Sequence, residues 1–138
     1  MLSKPSENSA DTTIDRLVVD SSVAVKWFLE DEPDIDLANN ILTRSFKREI
    51  ELHAPSIFPH EVDGALTRAC LTRLQRGGPP RMTVEDALTA LETLESYSLT
   101  INTPTLKERQ QILRMAVNYS KGNYDMIYIW LAEKLDCQ

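Results

Sequence analysis

The stretch RLVVDSSVAVKWF, residues 16–28, decides how this chain is read. Leu17, Val18 and Val19 form a continuous apolar run, the pattern of a strand buried on both faces. Asp20 ends the run, and Ser21 and Ser22 follow before apolar spacing resumes at Val23, Trp27 and Phe28 with a helical period. Ser21 or Ser22 is the expected cap of that helix, and Pro33 is its expected stop. A strand that runs through a carboxylate into a helix raises the question of what the carboxylate is for.

The same alternation repeats along the chain. Ile35, Ala38, Ile41, Leu42 and Phe46 are spaced as one helix face, and IELHAP then alternates Ile50, Leu52 and Ala54 as a half-buried or edge strand, with His53 on its polar side. The next helix holds Val62, Ala65, Leu66, Ala69 and Leu74 in a stripe, tolerates Pro59 in its first turn, and breaks at RGGPP, residues 76–80. Thr83 with Asp86 resembles a capping box before Ala87, Leu88, Leu91 and Leu94. Leu99 and Ile101 mark a short strand, and Thr105 with Glu108 repeats the capping pattern. Tyr124, Ile127, Tyr128, Leu131, Ala132 and Leu135 complete a last helix. Strand, helix, helix, three times over, predicts an α/β fold with a parallel sheet.

The length of 138 residues fits one domain, with 42% hydrophobic and 26% charged residues. A net charge of −6 argues against a sequence-independent nucleic-acid coat, though a local basic groove is compatible with it. No apolar run reaches a membrane span, and MLSKPSENSADT lacks the apolar segment of a signal peptide, so a cytoplasmic protein is expected. Cys70 and Cys137 have no metal-ligand spacing and read as small buried hydrophobes.

Reactive groups of parallel sheets sit beyond the carboxyl ends of the strands. Asp20, Glu61 and Asp125 each fall near such a rim, one per repeat. Each also has a plainer reading: Asp20 as a helix cap, Glu61 and Asp125 as complements of a helix N-terminus. Gathered together, two carboxylates about 5 Å apart would repel by about 3 kcal/mol at an effective dielectric near 20, and a hard divalent cation would reverse the sign. Oxygen donors without thiolate fit Mg²⁺ or Mn²⁺ rather than zinc.

The segments LVVDSSVAVKWFLEDE, APSIFPHEVDGAL and NYDMIYIWLAEKLDC resemble, in that order, the first, middle and late motifs of PIN-domain nucleases, in particular VapC-type toxins of toxin–antitoxin pairs. The resemblance implies a PIN-like parallel sheet with helices on both faces in a single domain over residues 14–138, behind a polar flexible tail at residues 1–13. It implies a metal-dependent endoribonuclease in which Asp20, Glu61 and Asp125 bind Mg²⁺ or Mn²⁺ and carry catalysis, Ser22 supports the metal, and water attacks the RNA phosphodiester. A VapB-type antitoxin and a homodimer are the implied partners.

Two departures stand out. Asp63 and Gly64 occupy positions where the family commonly has alanine and asparagine. After LAEKLDC the family continues into a last strand and a further acid, while this sequence stops at Gln138, which reads as a domain truncated at its C-terminus. The alternative expectation is therefore a catalytically impaired PIN-like domain acting as a protein- or RNA-binding module.

Arg68, Arg73, Arg76 and Arg81 form a basic segment suited to phosphate contacts, or simply a solvated helix end. His60 lies beside Glu61, but a metal nuclease needs no histidine base. Other chemistries fit less well. Ser22 stands where a haloacid-type phosphatase would have a second aspartate, the only paired glycines, Gly77 and Gly78, run into prolines, and no nucleophile elbow is present.

Overall fold

The structure, a computed structural model, describes residues 14–136; the expected tail at 1–13 and Cys137 lie outside the described residues. The repeating order is found: β1 (Asp15–Val18), α1 (Ser21–Val25), α2 (Ile35–Phe46), β2 (Ile50–Pro55), α3 (Phe58–Leu71), α4 (Val84–Ser96), β3 (Leu99–Asn102), α5 (Leu106–Asn118) and α6 (Asn123–Leu135). The strands form one parallel sheet in the order β1-β2-β3, with Leu17 opposite Leu52 and Leu52 opposite Leu99.

Two strand expectations are corrected. β2, expected at half burial or at an edge, is the central strand, and five of its six residues are buried. β1, expected to be buried on both faces, pairs only with β2 among the described strands, and Leu17 and Val18 are half-buried. The alternation misled because one polar residue of β2, His53, is covered and paired, while Glu51 alone stays exposed. His53 is buried, with Nε2 at 2.7 Å from Glu51 Oε1 and Nδ1 at 3.2 Å from the Asn102 amide nitrogen. The tautomer with its proton on Nε2 satisfies both contacts. Arg16 approaches the same Glu51 oxygen at 3.8 Å.

Side-chain alternation along the strands feeds two separate cores. Leu17, Val19, Ile50, Leu52, Ala54 and Leu99 pack with Phe58, Val62, Leu66, Ala87 and Ala90 in one layer. Val18 points the other way, into a smaller layer of Ile112, Ala116, Met126, Ile127, Trp130 and Leu131. Right-handed crossovers that step in one direction, β1 to β2 to β3, place both connections on the same face. The helix pair after β3 then covers the face left open.

Local chemistry sets the helix limits. Thr83 caps α4 by accepting from the Asp86 N–H, without a reciprocal contact, whereas Thr105 and Glu108 form a full capping box at α5. α1 is a short helix that gives way to turns at Lys26, and α3 stops at Leu71, which leaves Leu74 exposed in a turn rather than in the helical stripe. Cys70 is half-buried, with Sγ at 3.7 Å from the Thr83 carbonyl oxygen. Arg81 closes the first layer: it donates to Asp31 Oδ1 and Oδ2 at 2.8 and 2.9 Å and to Glu32 Oε2 at 2.7 Å, tying the α1–α2 loop to the segment before α4. No described helix is long and apolar enough to cross a membrane.

Candidate functional site

Asp20 lies two residues past the end of β1 and is itself the cap of α1, in place of the expected Ser21 or Ser22. Its extended backbone, φ −103° and ψ 174°, lets the carboxylate reach forward and accept from the Val23 N–H at 3.2 Å. Ser22 Oγ donates to the same oxygen at 2.5 Å. The cap reading and the site reading of Asp20 are therefore compatible, since only Oδ1 is engaged by these bonds. The residue remains exposed, with its second oxygen free of them.

Glu61 lies in the first turn of α3, just after β2, and is half-buried. Its Oε1 accepts a 2.5 Å hydrogen bond from the Tyr128 hydroxyl of α6. Burial raises the Tyr128 hydroxyl far above the ordinary phenol range, and the hydrogen bond to Glu61 and the charges of Glu61 and Asp20 push it the same way. Tyr128 is thus held as a donor, and the two acids from β1–α1 and α3 bear on one group. Asp125 sits one turn before Tyr128 on α6, exposed in the first turn of the helix. A Cβ placed on Gly122 would lie 3.9 Å from Asp125 Oδ2, so this carboxylate folds back over the helix N-terminus, where the dipole favours it.

Asp20 and Glu61 are brought to a common neighbour, but the three acids are not drawn into one cluster. Among the described residues no set of three or more His, Cys, Asp or Glu side chains is close enough together to hold a metal ion. The donor chemistry around Tyr128, carboxylate and hydroxyl oxygens, suits a hard cation. Asp20 and Glu61, with Ser22 bonded to Asp20, are the residues that would hold one, while Asp125 is turned back over the start of its own helix.

Gly64 does not contribute a contact: a Cβ there would meet only the flexible Arg68 Nη1, at 3.5 Å. Asp63 is exposed beside it. His60 is also exposed and borders a groove of about 1290 Å³ that runs along α5 to the start of α6. Ile57, Leu113, Val117 and Tyr124 give the groove an apolar wall, Arg109 and Lys121 give it positive charge, and no Asp or Glu among the described residues lines it. In the sequence these two cations were inconspicuous because they lie 12 residues apart, Arg109 in the first turns of α5 and Lys121 in the turn after it.

The arginines behave unequally. Arg68 and Arg76 are exposed, Arg73 donates from Nη1 to the Gly78 carbonyl oxygen at 2.8 Å across the turn, and Arg81 is committed to Asp31 and Glu32. Tyr128 was read from the sequence only as an apolar position of the last helix. Its place three residues after Asp125, on the same helix face, was the available signal.

No family model matches the chain, and no curated protein matches its sequence.

Proposed function

We propose that this chain is a PIN-like, VapC-type endoribonuclease that hydrolyses RNA with the help of Mg²⁺ or Mn²⁺. The observation that carries the reading is the hydrogen bond from the Tyr128 hydroxyl to Glu61 at the carboxyl end of a parallel sheet, on a phenol that the Asp20 charge also bears on. Asp20 and Glu61, with Asp125 from the neighbouring helix, are the residues that would hold the cation. When bound, the cation supplies an activated water and neutralises charge on the phosphodiester.

The remaining steps belong to the chain's own groups. Ser22 fixes the orientation of Asp20 through its hydroxyl. The groove beside His60 and Tyr124 accepts the polynucleotide, because an acid-free wall with Arg109 and Lys121 does not repel phosphates. Tyr124 is exposed and offers a face on which a base stacks. Arg68 and Arg76 are free to contact phosphate at the far end of α3. A VapB-type antitoxin and a second copy of the chain are the partners proposed with this reading.

A second reading, a PIN-like module that binds RNA or protein without cutting, draws support from the three acids not forming one cluster among the described residues. The two are distinguished with the purified chain, an RNA pool and Mn²⁺ or Mg²⁺, beside Asp20→Asn and an EDTA control. Asp20→Asn keeps the cap of α1, since asparagine caps as well as aspartate, and removes only the charge. The nuclease reading expects cutting by the wild-type chain that falls at least about 100-fold in Asp20→Asn and stops with EDTA, as for loss of a metal ligand. Folded protein that binds RNA without cutting it would establish the binding module instead.

A further inference from the structure

α5 carries more apolar surface than the core uses. It buries Ile112 and Ala116 in the second layer, yet Leu106, Leu113 and Val117 are 67, 61 and 69% exposed. These three lie at helical spacing on one stripe of a 13-residue helix, about 20 Å long at 1.5 Å per residue. Ile57, Ile127 and the exposed Tyr124 join them in the wall of the groove of about 1290 Å³. The chain holds 21 Asp and Glu and a net charge of −6, yet among the described residues the charged side chains lining this groove are Arg109 and Lys121. Even Glu61 and Asp125, next in sequence to His60 and Tyr124, stay out of its lining. An exposed apolar patch of this kind, rimmed by charge of the sign that the rest of the chain lacks, marks an interaction surface.

We propose that the groove docks an acidic amphipathic helix of a partner protein. Apolar side chains at every third or fourth position of that helix lie along Leu106, Leu113 and Val117, and acidic side chains beside them pair with Arg109 and Lys121. Two other occupants fit the lining less well. A polynucleotide uses the two cations and stacks a base on Tyr124, but its backbone is charged along its whole length and covers an aliphatic stripe poorly. A second copy related by a two-fold axis brings the same two cations from each side into one acid-free contact. The inference goes beyond the RNA reading of the groove given above: helix and RNA share Arg109 and Lys121, so each excludes the other. It rests on the groove alone and not on the cation reading of the acids.

The experiment is fluorescence anisotropy with the full chain and two labelled synthetic peptides about as long as α5. Both carry leucines spaced by three and four residues; one has glutamates beside them and the other has lysines. The acidic peptide is expected to bind at least about 10-fold more tightly than the lysine peptide. Leu113→Ser combined with Val117→Ser is expected to weaken it at least about 10-fold, because both side chains leave the contact. Leu37→Ser, at a similarly exposed leucine of α2 outside the groove, is expected to leave it unchanged. Arg109→Glu combined with Lys121→Glu is expected to invert the preference between the peptides, which a misfolded chain would not do.

Failure of both peptides to bind, equal binding of the two, or binding that survives the loss of Leu113 and Val117 would overturn the docking site. An oligouridylate that binds the wild type and not the charge-reversed chain, with no uptake of the acidic peptide, would overturn it in favour of RNA. A chain that takes neither peptide but forms a dimer in sedimentation, monomeric in the double serine variant, would overturn it in favour of a second copy. None of these readouts depends on cutting, so a chain that cleaves no RNA would end the nuclease reading and leave this result standing.

Discussion

The two layers on this sheet are built on different principles. Against one face, α1, α3 and α4 bury Phe58, Val62, Leu66 and Ala90 on Leu52 and Ala54, an apolar contact on both sides. The other face carries a polar relay in which buried His53 contacts exposed Glu51 on one side and half-buried Asn102 on the other. That second layer also leaves Leu106, Leu113 and Val117 exposed along α5. The difference assigns tasks: the first layer supplies most of the hydrophobic stabilisation, and the second supplies the groove and the Tyr128 hydroxyl that bonds Glu61 across the end of the sheet.

The largest test of this contrast is paired core truncation. Phe58 is 1% exposed in the first layer and Ile112 is 2% exposed in the second. Phe58→Ala is expected to cost about 3–5 kcal/mol and Ile112→Ala about 2–5 kcal/mol, read as shifts of the urea midpoint. Because the two cores share one sheet, both variants are expected to keep a single transition seen alike by fluorescence and circular dichroism. A separate early transition in Ile112→Ala alone would show the second layer to be an independent unit, and the sheet to be stable without it.

How far the sequence revealed this arrangement depended on whether a signal was periodic or relational. The order of nine elements followed from apolar spacing and turn residues, and the Thr105–Glu108 box was legible because both partners lie within one turn. The central place of β2 was hidden, since His53 looks solvated until Asn102, 49 residues on, is placed beside it. Asp20 was marked by its position after an apolar run, and Glu61 and Asp125 by their helix starts. Tyr128 escaped notice because its role is set by Glu61, 67 residues away, and its spacing within α6 is that of any core position. The commitment of Arg81 was equally invisible, its partners being 49 and 50 residues distant.

A middle-sized effect sharpens the same contrast at His53. His53→Ala removes the shared partner of Glu51 and Asn102, vacates a buried position and leaves the half-buried Asn102 amide without the imidazole. Unmade hydrogen bonds of that kind predict a loss of about 1–3 kcal/mol in chemical denaturation. Ala54, its neighbour, is fully buried with its side chain on the apolar face and gives the comparison. A neutral His53→Ala would mean that water replaces the imidazole and that the second layer is wetter than the first.

The smallest effect is electrostatic, and each layer offers one example. Asp31 is held below the ordinary value of 3.8, chiefly by its hydrogen bond to Arg81, and Glu108 below 4.5, chiefly by the Thr105 backbone N–H and then by Lys134. In both cases the folded state binds the proton less readily than the unfolded chain. The stability they contribute is therefore fully present above the ordinary values and is lost as pH falls through the lower folded ones. Water and salt screen both groups, so the change is expected to be small against that of a core truncation. Arg81→Gln removes the leading cause at Asp31 and is expected to flatten the acid limb of a melting-temperature profile. Lys134→Gln is expected to flatten it less, because the N–H of Thr105 still holds Glu108. Equal flattening by the two variants would mean that the lysine, and not the capping box, governs Glu108, and that the second layer is tied down by a surface ion pair as the first is by Arg81.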